Sequence, residues 1–229
     1  MSDPEIQLDY FYDPFCGWCY ASAPALKALA EVFPDQLTMR PSGLFAGSGA
    51  RPMAAMAEHS WRNSTRIIEL TGQIYTDPYR EQILSNPHGR LDSTLATRAI
   101  VALGQIDSRL EPLLLGALQT ARYVDAKDTA EGAVVAGVGV NVAAVRGYSL
   151  NVAAFHDTLM KDEALSTRTS ARVRNTLAMM RELSGSGVPQ LLATIGDYRE
   201  VIDGTDLYGG AGAVLKAIRA ATDHACVVH

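Results

Sequence analysis

Residues 12–20 read YDPFCGWCY, with Cys16 and Cys19 three positions apart. Residues 6–12 alternate apolar and polar side chains, a pattern that is typical of a β-strand. Over residues 17–32 the apolar side chains recur at helical spacing, and a Phe-Pro-Asp sequence closes this stretch. The sequence therefore predicts a strand followed by a helix, with both cysteines at the junction.

A dithiol at the start of a helix has the chemistry of a redox centre. Residues three apart in a helix have Cβ atoms about 5–6 Å apart, whereas a disulfide needs about 3.5–4.5 Å, so Cys16 is expected at the helix cap. Unpaired backbone N–H groups and the helix dipole favour a thiolate at that position. Cys16 is therefore predicted to be the nucleophile, and Cys19 the resolving thiol that attacks the mixed disulfide.

A metal site is the main alternative for a Cys-x-x-Cys pair, because zinc half-sites use the same spacing. A chance pair of buried cysteines is the other alternative. Zinc needs two further ligands, and the remaining candidates form no second pair of this kind: His59, His88, His156, His224, Cys226 and His229. We therefore expect redox chemistry without a bound metal, and we interpret Cys226 as a bystander.

The composition is that of an ordinary globular protein and argues against several classes. The chain has 229 residues, a net charge of −5 and no lysine- or arginine-rich run, so nucleic-acid binding is not expected. No apolar stretch is long enough to span a membrane. Only three cysteines occur, too few for a disulfide-stapled secreted scaffold. The acidic start, MSDPE, lacks the basic region of a secretory leader, so we expect a cytoplasmic location.

The chain is predicted to consist of an α/β part that an all-α segment interrupts. Residues 1–45 contain the strand–helix unit and a second strand. Residues 46–165 show helical periodicity, and residues 166–229 hold a long helix, a flexible Ser-Gly-Ser-Gly turn at 184–187, a β-hairpin and a closing helix. The predicted later helices cover residues 53–70, 91–105, 109–123, 129–136, 152–160, 166–183 and 209–222, and the predicted later strands cover 36–40, 190–195 and 198–202.

Several residues indicate where the helices of the middle segment begin and end. Asp92, Asp128 and Asn151 can cap helix starts, since their side chains accept hydrogen bonds from free backbone N–H groups. Gly137 and Gly139 predict that the helix beginning near residue 129 ends before them.

The strand, the segment YDPFCGWCY and the helix resemble the thioredoxin superfamily, and more narrowly its DsbA-like branch. Within that branch the chain is similar to the cytoplasmic subgroup of predicted protein-disulfide isomerases related to FrnE-type proteins. Pro24 matches a kinking helix proline of thioredoxins, and Val188-Pro189 matches their cis-proline beside the dithiol. The resemblance implies an α/β thioredoxin fold with a large all-α insertion. It also implies disulfide oxidoreductase or isomerase activity without a cofactor, and glutathione is a candidate co-substrate.

The resemblance further implies a substrate site around the dithiol. A cis bond at Pro189 would leave the backbone of Val188 free to pair with an extended protein or peptide substrate that carries a thiol or disulfide. The sequence alone leaves cis and trans open. Gly17 and Trp18 lie between the cysteines, and Trp18 either packs on a substrate or folds back onto the helical segment. Residues 42–47 either line a groove beside the dithiol or form a plain linker.

The two residues between the cysteines bear on the direction of electron flow. Reduction potentials of such centres range from about −270 mV for thioredoxin to about −120 mV for DsbA. DsbA-type pairs contain a histidine that stabilises the thiolate, whereas Gly17 and Trp18 offer no cation, and an ionised Asp13 would oppose a negative sulfur. We therefore expect a potential below about −150 mV, which suits reduction or isomerisation.

Two other functions stay open. Kappa-class glutathione transferases and related isomerases of the same branch share the helical insertion, but they typically have serine at the position of Cys16 and need no second thiol. The presence of both cysteines argues against that class, although glutathione binding near Val188-Pro189 stays open. The third function is a non-catalytic, chaperone-like binding module whose helical segment presents an apolar groove.

Overall fold

A four-stranded mixed sheet contains two strands from the first part of the sequence and two from the last part. The computed structural model describes residues 5–183 and 187–228. The strands are β1 (Ile6–Tyr12), β2 (Leu37–Pro41), β3 (Arg51–Pro52), β4 (Arg90–Leu91), β5 (Gln190–Ile195) and β6 (Tyr198–Ile202). The main sheet has the order β2-β1-β5-β6, in which β1 runs parallel to β2 and antiparallel to β5. The predicted hairpin is the β5–β6 pair.

Most of the helices lie between β2 and β5 in the sequence. The helices are α1 (Gly17–Ala21), α2 (Ala23–Val32), α3 (Met53–Thr71), α4 (Thr94–Gly104), α5 (Leu110–Tyr123), α6 (Gly132–Val145), α7 (Val152–Lys161), α8 (Glu163–Arg181), α9 (Gly204–Tyr208) and α10 (Gly210–Val228). We call the stretch from α3 to α7, with the turns between these helices, the helical segment. The predicted division into residues 1–45, 46–165 and 166–229 stays a prediction, and its second boundary falls inside α8.

The central strand β1 is buried on both faces. Tyr10, Phe11 and Tyr12 are all inaccessible to solvent, although they point alternately to opposite faces of the sheet. Helices pack against the sheet around β1, with α8 against β2 and α10 against β5. The alternation of residues 6–12 therefore predicted the strand, but its second face is also part of the core.

The helix predicted over residues 17–32 is divided into α1 and α2. Ser22 lies between the two helices, and its hydroxyl donates to the carbonyl of Cys19 at 3.0 Å. Pro24 follows in the first turn of α2, where its missing N–H group interrupts no helical hydrogen bond. The short α1 thus begins directly after Cys16, its N-cap residue, and contains Cys19.

The predicted end of the fourth middle helix is wrong. This helix, α6, begins at Gly132 and continues through Gly137 and Gly139 to Val145. A β-carbon at Gly139 would lie 2.7 Å from a ring carbon of Phe155 in α7. The glycine therefore permits close packing of two helices and does not end one.

The three predicted caps have different outcomes. Asn151 caps α7, since its side chain accepts from Ala154 N at 3.0 Å. Asp128 accepts from Ala130 N, but this turn precedes α6 by several residues and does not start it. Asp92 accepts from Thr94 N, although the cap position of α4 is the residue after Asp92.

Other differences concern features without a periodic signal. The helix α8 begins three residues earlier than predicted because Asp162 caps it by accepting from Leu165 N. The strands β3 and β4 form a separate ribbon of only two residues each, and a π-helical turn covers Tyr79–Leu84. The predicted turn at residues 184–187 lies largely outside the described residues.

Two kinds of feature are absent from the described residues. Within them, no helix is long and apolar enough to cross a membrane. In the same part of the chain, no three His, Cys, Asp or Glu side chains are grouped as a metal site. The terminal candidate ligand His229 lies outside the described residues.

Candidate active site

The dithiol lies at the junction of β1 and α1. Cys16 is the N-cap residue of α1, with φ −74° and ψ 115°. Its backbone N–H donates to the carbonyl of Asp13 at 3.1 Å, and its own carbonyl accepts from Cys19 N at 3.0 Å. The extended conformation at the cap turns the chain from strand to helix. Cys16 thus sits at the N-terminal end of α1, where backbone N–H groups are unpaired.

The two cysteines differ in access to solvent. Both are free thiols; Cys16 is 6% exposed and Cys19 is fully buried. Burial, the hydrogen bond with the Cys16 thiol and the charge of Cys16 raise the pKa of the Cys19 thiol well above its usual value. Cys19 therefore stays protonated, while Cys16 keeps a small exposed fraction and lies at the helix cap, a difference that suits an attacking and a resolving thiol.

The loop before β5 forms the wall opposite Cys16. The Cys16 thiol donates to the carbonyl of Val188 at 3.5 Å, across 172 positions of sequence. The Val188–Pro189 peptide bond is cis. The structure therefore brings together Cys16, Cys19 and the loop at Val188, all of which are predicted site residues.

A cavity of about 320 Å³ opens beside the dithiol. Its lining includes Cys16, Gly17, Trp18 and Val188, but not the predicted site residue Pro189. Phe15 and Gly187, the residues before Cys16 and Val188, also line it. The other lining residues come from the turn after β2, from α3, from Leu91 and from the aromatic residues of the helical segment; they include Leu44, Phe45, Met56, His59, Ser60, Asn63, Tyr75 and Tyr123. Two residues of the predicted groove segment 42–47, Leu44 and Phe45, thus lie at the dithiol.

Trp18 has neighbours on both sides of the dithiol. Its ring centroid lies 5.1 Å from that of Tyr208 in α9, and the guanidinium of Arg66 in α3 lies 5.7 Å from the ring centroid. Cation–π contacts of this kind are favourable when the cation faces the ring within about 6 Å. Trp18 also lines the cavity, so it contacts the helical segment and faces the cavity at the same time.

Asp13 ties the dithiol turn to the rest of the molecule. Its buried carboxylate accepts hydrogen bonds from Phe15 N at 2.9 Å, Phe45 N at 3.1 Å and the Ser93 hydroxyl at 3.0 Å. Burial raises the pKa of Asp13, and these three hydrogen bonds partly offset the rise. The sequence indicated this carboxylate only as a charge near the sulfur, whereas in the structure it also anchors the loop after β2 and the start of α4.

Sequence reasoning missed a buried cation that packs on the residue before Cys16. The guanidinium of Arg122 lies 4.2 Å from the ring centroid of Phe15, the residue before Cys16. Arg122 is almost fully buried, and its Nη1 lies 3.4 Å from Asp128. The helical segment thus places a cation from a distant part of the sequence against the ring of Phe15.

A larger cavity, of about 520 Å³, lies away from the dithiol. It is an open groove between α2 and α5 and contains neither Cys16 nor Cys19. The Cys16 thiol, the Val188 carbonyl and buried polar groups instead lie together at the cavity of about 320 Å³. Because the chemistry of a site depends on such groups more than on volume, the smaller cavity is the candidate active site.

Strand, dithiol, helix and cis-proline loop together define the class of thioredoxin-fold proteins, here with a helical segment inserted between β2 and β5. A model of the DSBA-like thioredoxin domain matches residues 7–206. The chain therefore belongs to the DSBA-like thioredoxin domain family, and the predicted fold class and branch are confirmed. No protein of curated function matches the chain significantly.

Solved structures give the same fold. The cytosolic disulfide reductase DsbM from Pseudomonas aeruginosa matches with a TM-score of 0.79 and 24% identity over 93% of this chain and 97% of that one. The structure of DsbM with GSH matches with a TM-score of 0.76 and 25% identity over 93% and 98%. A Nitrosomonas europaea protein provisionally described as a protein disulfide isomerase matches with a TM-score of 0.71 and 21% identity over 98% and 99%.

Proposed function

We propose that this protein is a cytoplasmic thiol–disulfide oxidoreductase that reduces or isomerises disulfides through Cys16 and Cys19. One observation carries the proposal, namely the different environments of the two thiols. Cys16 lies at a helix N-cap beside a cavity, and Cys19 is buried behind it with a raised pKa. Such an arrangement supplies a nucleophile and a resolving thiol in one turn of helix. Membership of a DsbA-like family supports the same chemistry.

Reduction of a substrate disulfide takes two exchange steps. The Cys16 thiolate attacks one substrate sulfur, so that a Cys16–substrate disulfide forms and the first substrate thiolate leaves. Cys19 then loses its proton and attacks the Cys16 sulfur, which releases the second substrate thiolate and leaves a Cys16–Cys19 disulfide. Two electrons pass from the protein to the substrate. The raised pKa of the Cys19 thiol keeps it out of the first step.

We further propose glutathione as the co-substrate that returns the dithiol to its reduced form. The first glutathione attacks the Cys16–Cys19 disulfide and forms a mixed disulfide, and a second glutathione releases glutathione disulfide. The cavity of about 320 Å³ is of a size suited to a small thiol peptide. Among the described residues, no carboxylate side chain lines it, and the Arg66 cation lies over Trp18 beside it. A related reductase, DsbM, has been solved with GSH.

Trapping of the mixed disulfide tests the proposal. In a Cys226→Ala background, which removes the exposed third thiol, the Cys19→Ala variant is treated with glutathione disulfide and with a disulfide-linked peptide. We expect a stable adduct on Cys16, identified by mass spectrometry, because no resolving thiol is left to release it. Insulin reduction should fall to the background rate in both Cys16→Ala and Cys19→Ala, and Cys226→Ala alone should retain it.

The result that contradicts the proposal is equally specific. Adduct formation in Cys16→Ala, or insulin reduction that survives loss of both cysteines, would assign the chemistry to another site. Glutathione transfer that needs Cys16 but not Cys19 would favour the kappa-class type. Binding of unfolded peptide without any dependence on the cysteines would favour a chaperone-like module.

A further inference from the structure

The backbone on both sides of Cys16 is held by tyrosines of the helical segment. The hydroxyl of Tyr123 donates to the carbonyl of Phe15 at 2.9 Å, and the hydroxyl of Tyr75 donates to the carbonyl of Gly17 at 3.3 Å. These tyrosines are 108 and 58 positions from their partners in the sequence. Two separate donors therefore bind the carbonyls of the two residues on either side of the nucleophilic cysteine, Phe15 and Gly17.

The two tyrosines belong to a single packed aromatic cluster. The ring centroids of Tyr75 and Tyr123 are 4.9 Å apart, and that of Tyr79 lies 5.8 Å and 5.2 Å from them. The backbone N–H of Thr76 donates to the carbonyl of Tyr123 at 3.1 Å, which links the two chain segments next to the cluster. The hydroxyls are thus held in place before any substrate arrives, and their hydrogen bonds need no rearrangement during the reaction.

The small size of residue 17 fits this arrangement. A β-carbon at Gly17 would lie 3.1 Å from the Tyr75 hydroxyl and 3.3 Å from the side chain of Ile67. Any larger residue would press on the hydroxyl that donates to its own carbonyl. Glycine at this position of the Cys-x-x-Cys sequence therefore allows the tyrosine to approach.

The electrostatic consequence concerns the charged form of Cys16. A carbonyl oxygen carries partial negative charge, so carbonyls beside a thiolate oppose its charge unless donors offset them, and the effect is stronger in a low-dielectric interior. Burial, and among lesser causes the charge of Cys16, raises the pKa of both Tyr75 and Tyr123. Both hydroxyls therefore keep their protons at neutral pH and remain donors.

We propose that Tyr75 and Tyr123 are positioning residues of the dithiol: their hydroxyls hold the carbonyls that flank Cys16 and so stabilise its thiolate from the helical segment. This inference rests on the proposed function, because it assigns a role in the same redox centre. Stabilisation of the thiolate favours the reduced protein over its disulfide. The helical segment thereby helps to set the equilibrium between the two forms, in addition to lining the substrate cavity.

The test measures the equilibrium in which two glutathione thiols reduce the Cys16–Cys19 disulfide and become glutathione disulfide. Tyr75→Phe and Tyr123→Phe each remove one hydroxyl and keep the ring. We expect each to lower the equilibrium constant for reduction of the protein about fivefold, the size of one hydrogen bond's net contribution. The ultraviolet titration of the thiolate should move to higher pH in both variants, an effect that a purely structural role would not produce.

Tyr20→Phe is the matched control. Tyr20 packs in the same cluster, 5.3 Å from Tyr75 and 4.9 Å from Tyr123 between ring centroids. Its hydroxyl also donates to a backbone carbonyl, but to that of Ile74, away from Cys16. We expect the redox equilibrium and the thiolate titration of Tyr20→Phe to match those of the unmodified protein, whatever its unfolding midpoint.

Gly17→Ala gives an independent arm in case one phenylalanine variant does not fold. It should displace the Tyr75 hydroxyl, reproduce the shift of Tyr75→Phe, and add little in the Tyr75→Phe background. The inference would be overturned if Tyr75→Phe and Tyr123→Phe fold and show the same thiolate titration and redox equilibrium as the unmodified protein. It would also be overturned if Tyr20→Phe showed a shift of the same size. Failure of the unmodified dithiol to equilibrate with glutathione would instead overturn the proposed function.

Discussion

At the scale of single residues, Cys16 and Cys19 carry the same thiol group but differ in their burial, and this difference determines which thiol attacks and which resolves. Cys16 ends on a helix cap at the edge of a cavity, whereas Cys19, three residues later, has no access to solvent. The raised pKa of the Cys19 thiol follows from that burial and from its hydrogen bond with Cys16. The spacing of the cysteines indicated which thiol attacks, and the structure supplies the difference in environment that supports this order.

Asp13 carries a prediction about pH. Burial raises its pKa in the folded protein above the unfolded value of about 4. The folded state therefore binds the proton more tightly, so the stability that this carboxyl contributes is full below about pH 4 and declines as pH rises through the folded-state pKa. Asp13→Asn, which loses an acceptor, should cost about 1–3 kcal/mol at low pH and less at neutral pH.

Urea unfolding of Asp13→Asn and the unmodified protein at several pH values checks this expectation. The free-energy difference between the two proteins should shrink as pH rises above about 4. Asp197→Asn, at an exposed carboxylate in the turn between β5 and β6, controls for the loss of one charge. A difference that is constant or grows with pH would show that the folded state does not raise the pKa of Asp13.

At the scale of elements, an ion pair between the buried Glu111 and the partly buried Arg172 joins the helical segment to the sheet. Arg172 of α8 donates to both carboxylate oxygens of Glu111 in α5, at 2.8 Å and 2.7 Å, and to the carbonyl of Met39 in β2 at 2.6 Å. Burial raises the pKa of Glu111 in spite of this pairing. The pair is therefore better evidence for how α5, α8 and β2 are oriented than for net stabilisation.

Removal of one partner should be more costly than removal of both. Arg172→Met leaves Glu111 as an unpaired buried charge and should reduce the free energy of unfolding by about 3–5 kcal/mol. The double variant Glu111→Gln/Arg172→Met should recover part of that loss. Urea unfolding of the two single variants and the double variant gives the coupling energy, and a cost of Arg172→Met below about 1 kcal/mol would contradict the assignment.

Elements with a clear period could be predicted from the sequence, and those that depend on tertiary contacts could not. The strands β1, β5 and β6 match their predicted bounds, and α3 and α5 differ by one residue at most. The end of α6 was missed because Gly139 is required by the ring of Phe155 in another helix. The ribbon of β3 and β4 was missed because two-residue strands show no alternation.

The candidate site shows the same limit. Cys16 and Cys19 are recognisable by their spacing, and Val188 by its resemblance to a family loop. The tyrosines Tyr75 and Tyr123 carry no local signal, since only the fold brings their hydroxyls to the dithiol. A sequence pattern can therefore locate the reacting atoms, whereas the groups that tune them come from distant segments.

At the scale of the whole molecule, the fold surrounds one dithiol with parts of the entire chain. The β1–α1 junction provides the thiols, the loop before β5 provides the carbonyl that Cys16 contacts, and the helical segment provides the aromatic wall. The tyrosine hydroxyls hold the carbonyls of Phe15 and Gly17 and so favour the thiolate of Cys16. Asp13 acts on the pKa of the Cys19 thiol in two opposed ways, since its backbone hydrogen bond lowers that pKa and its charge raises it. The reduction potential measures the balance of these contributions.

The most direct test of the central claim is a redox titration of the Cys16–Cys19 pair against glutathione. Alkylation of free thiols distinguishes the reduced dithiol from the disulfide, and mass spectrometry measures the fraction of each. We predict a two-electron couple that disappears in Cys16→Ala and has a potential below about −150 mV, between those of thioredoxin and DsbA. A chain whose cysteines do not interconvert with glutathione would contradict redox activity. A potential above about −150 mV would contradict a reductase or isomerase and indicate an oxidase.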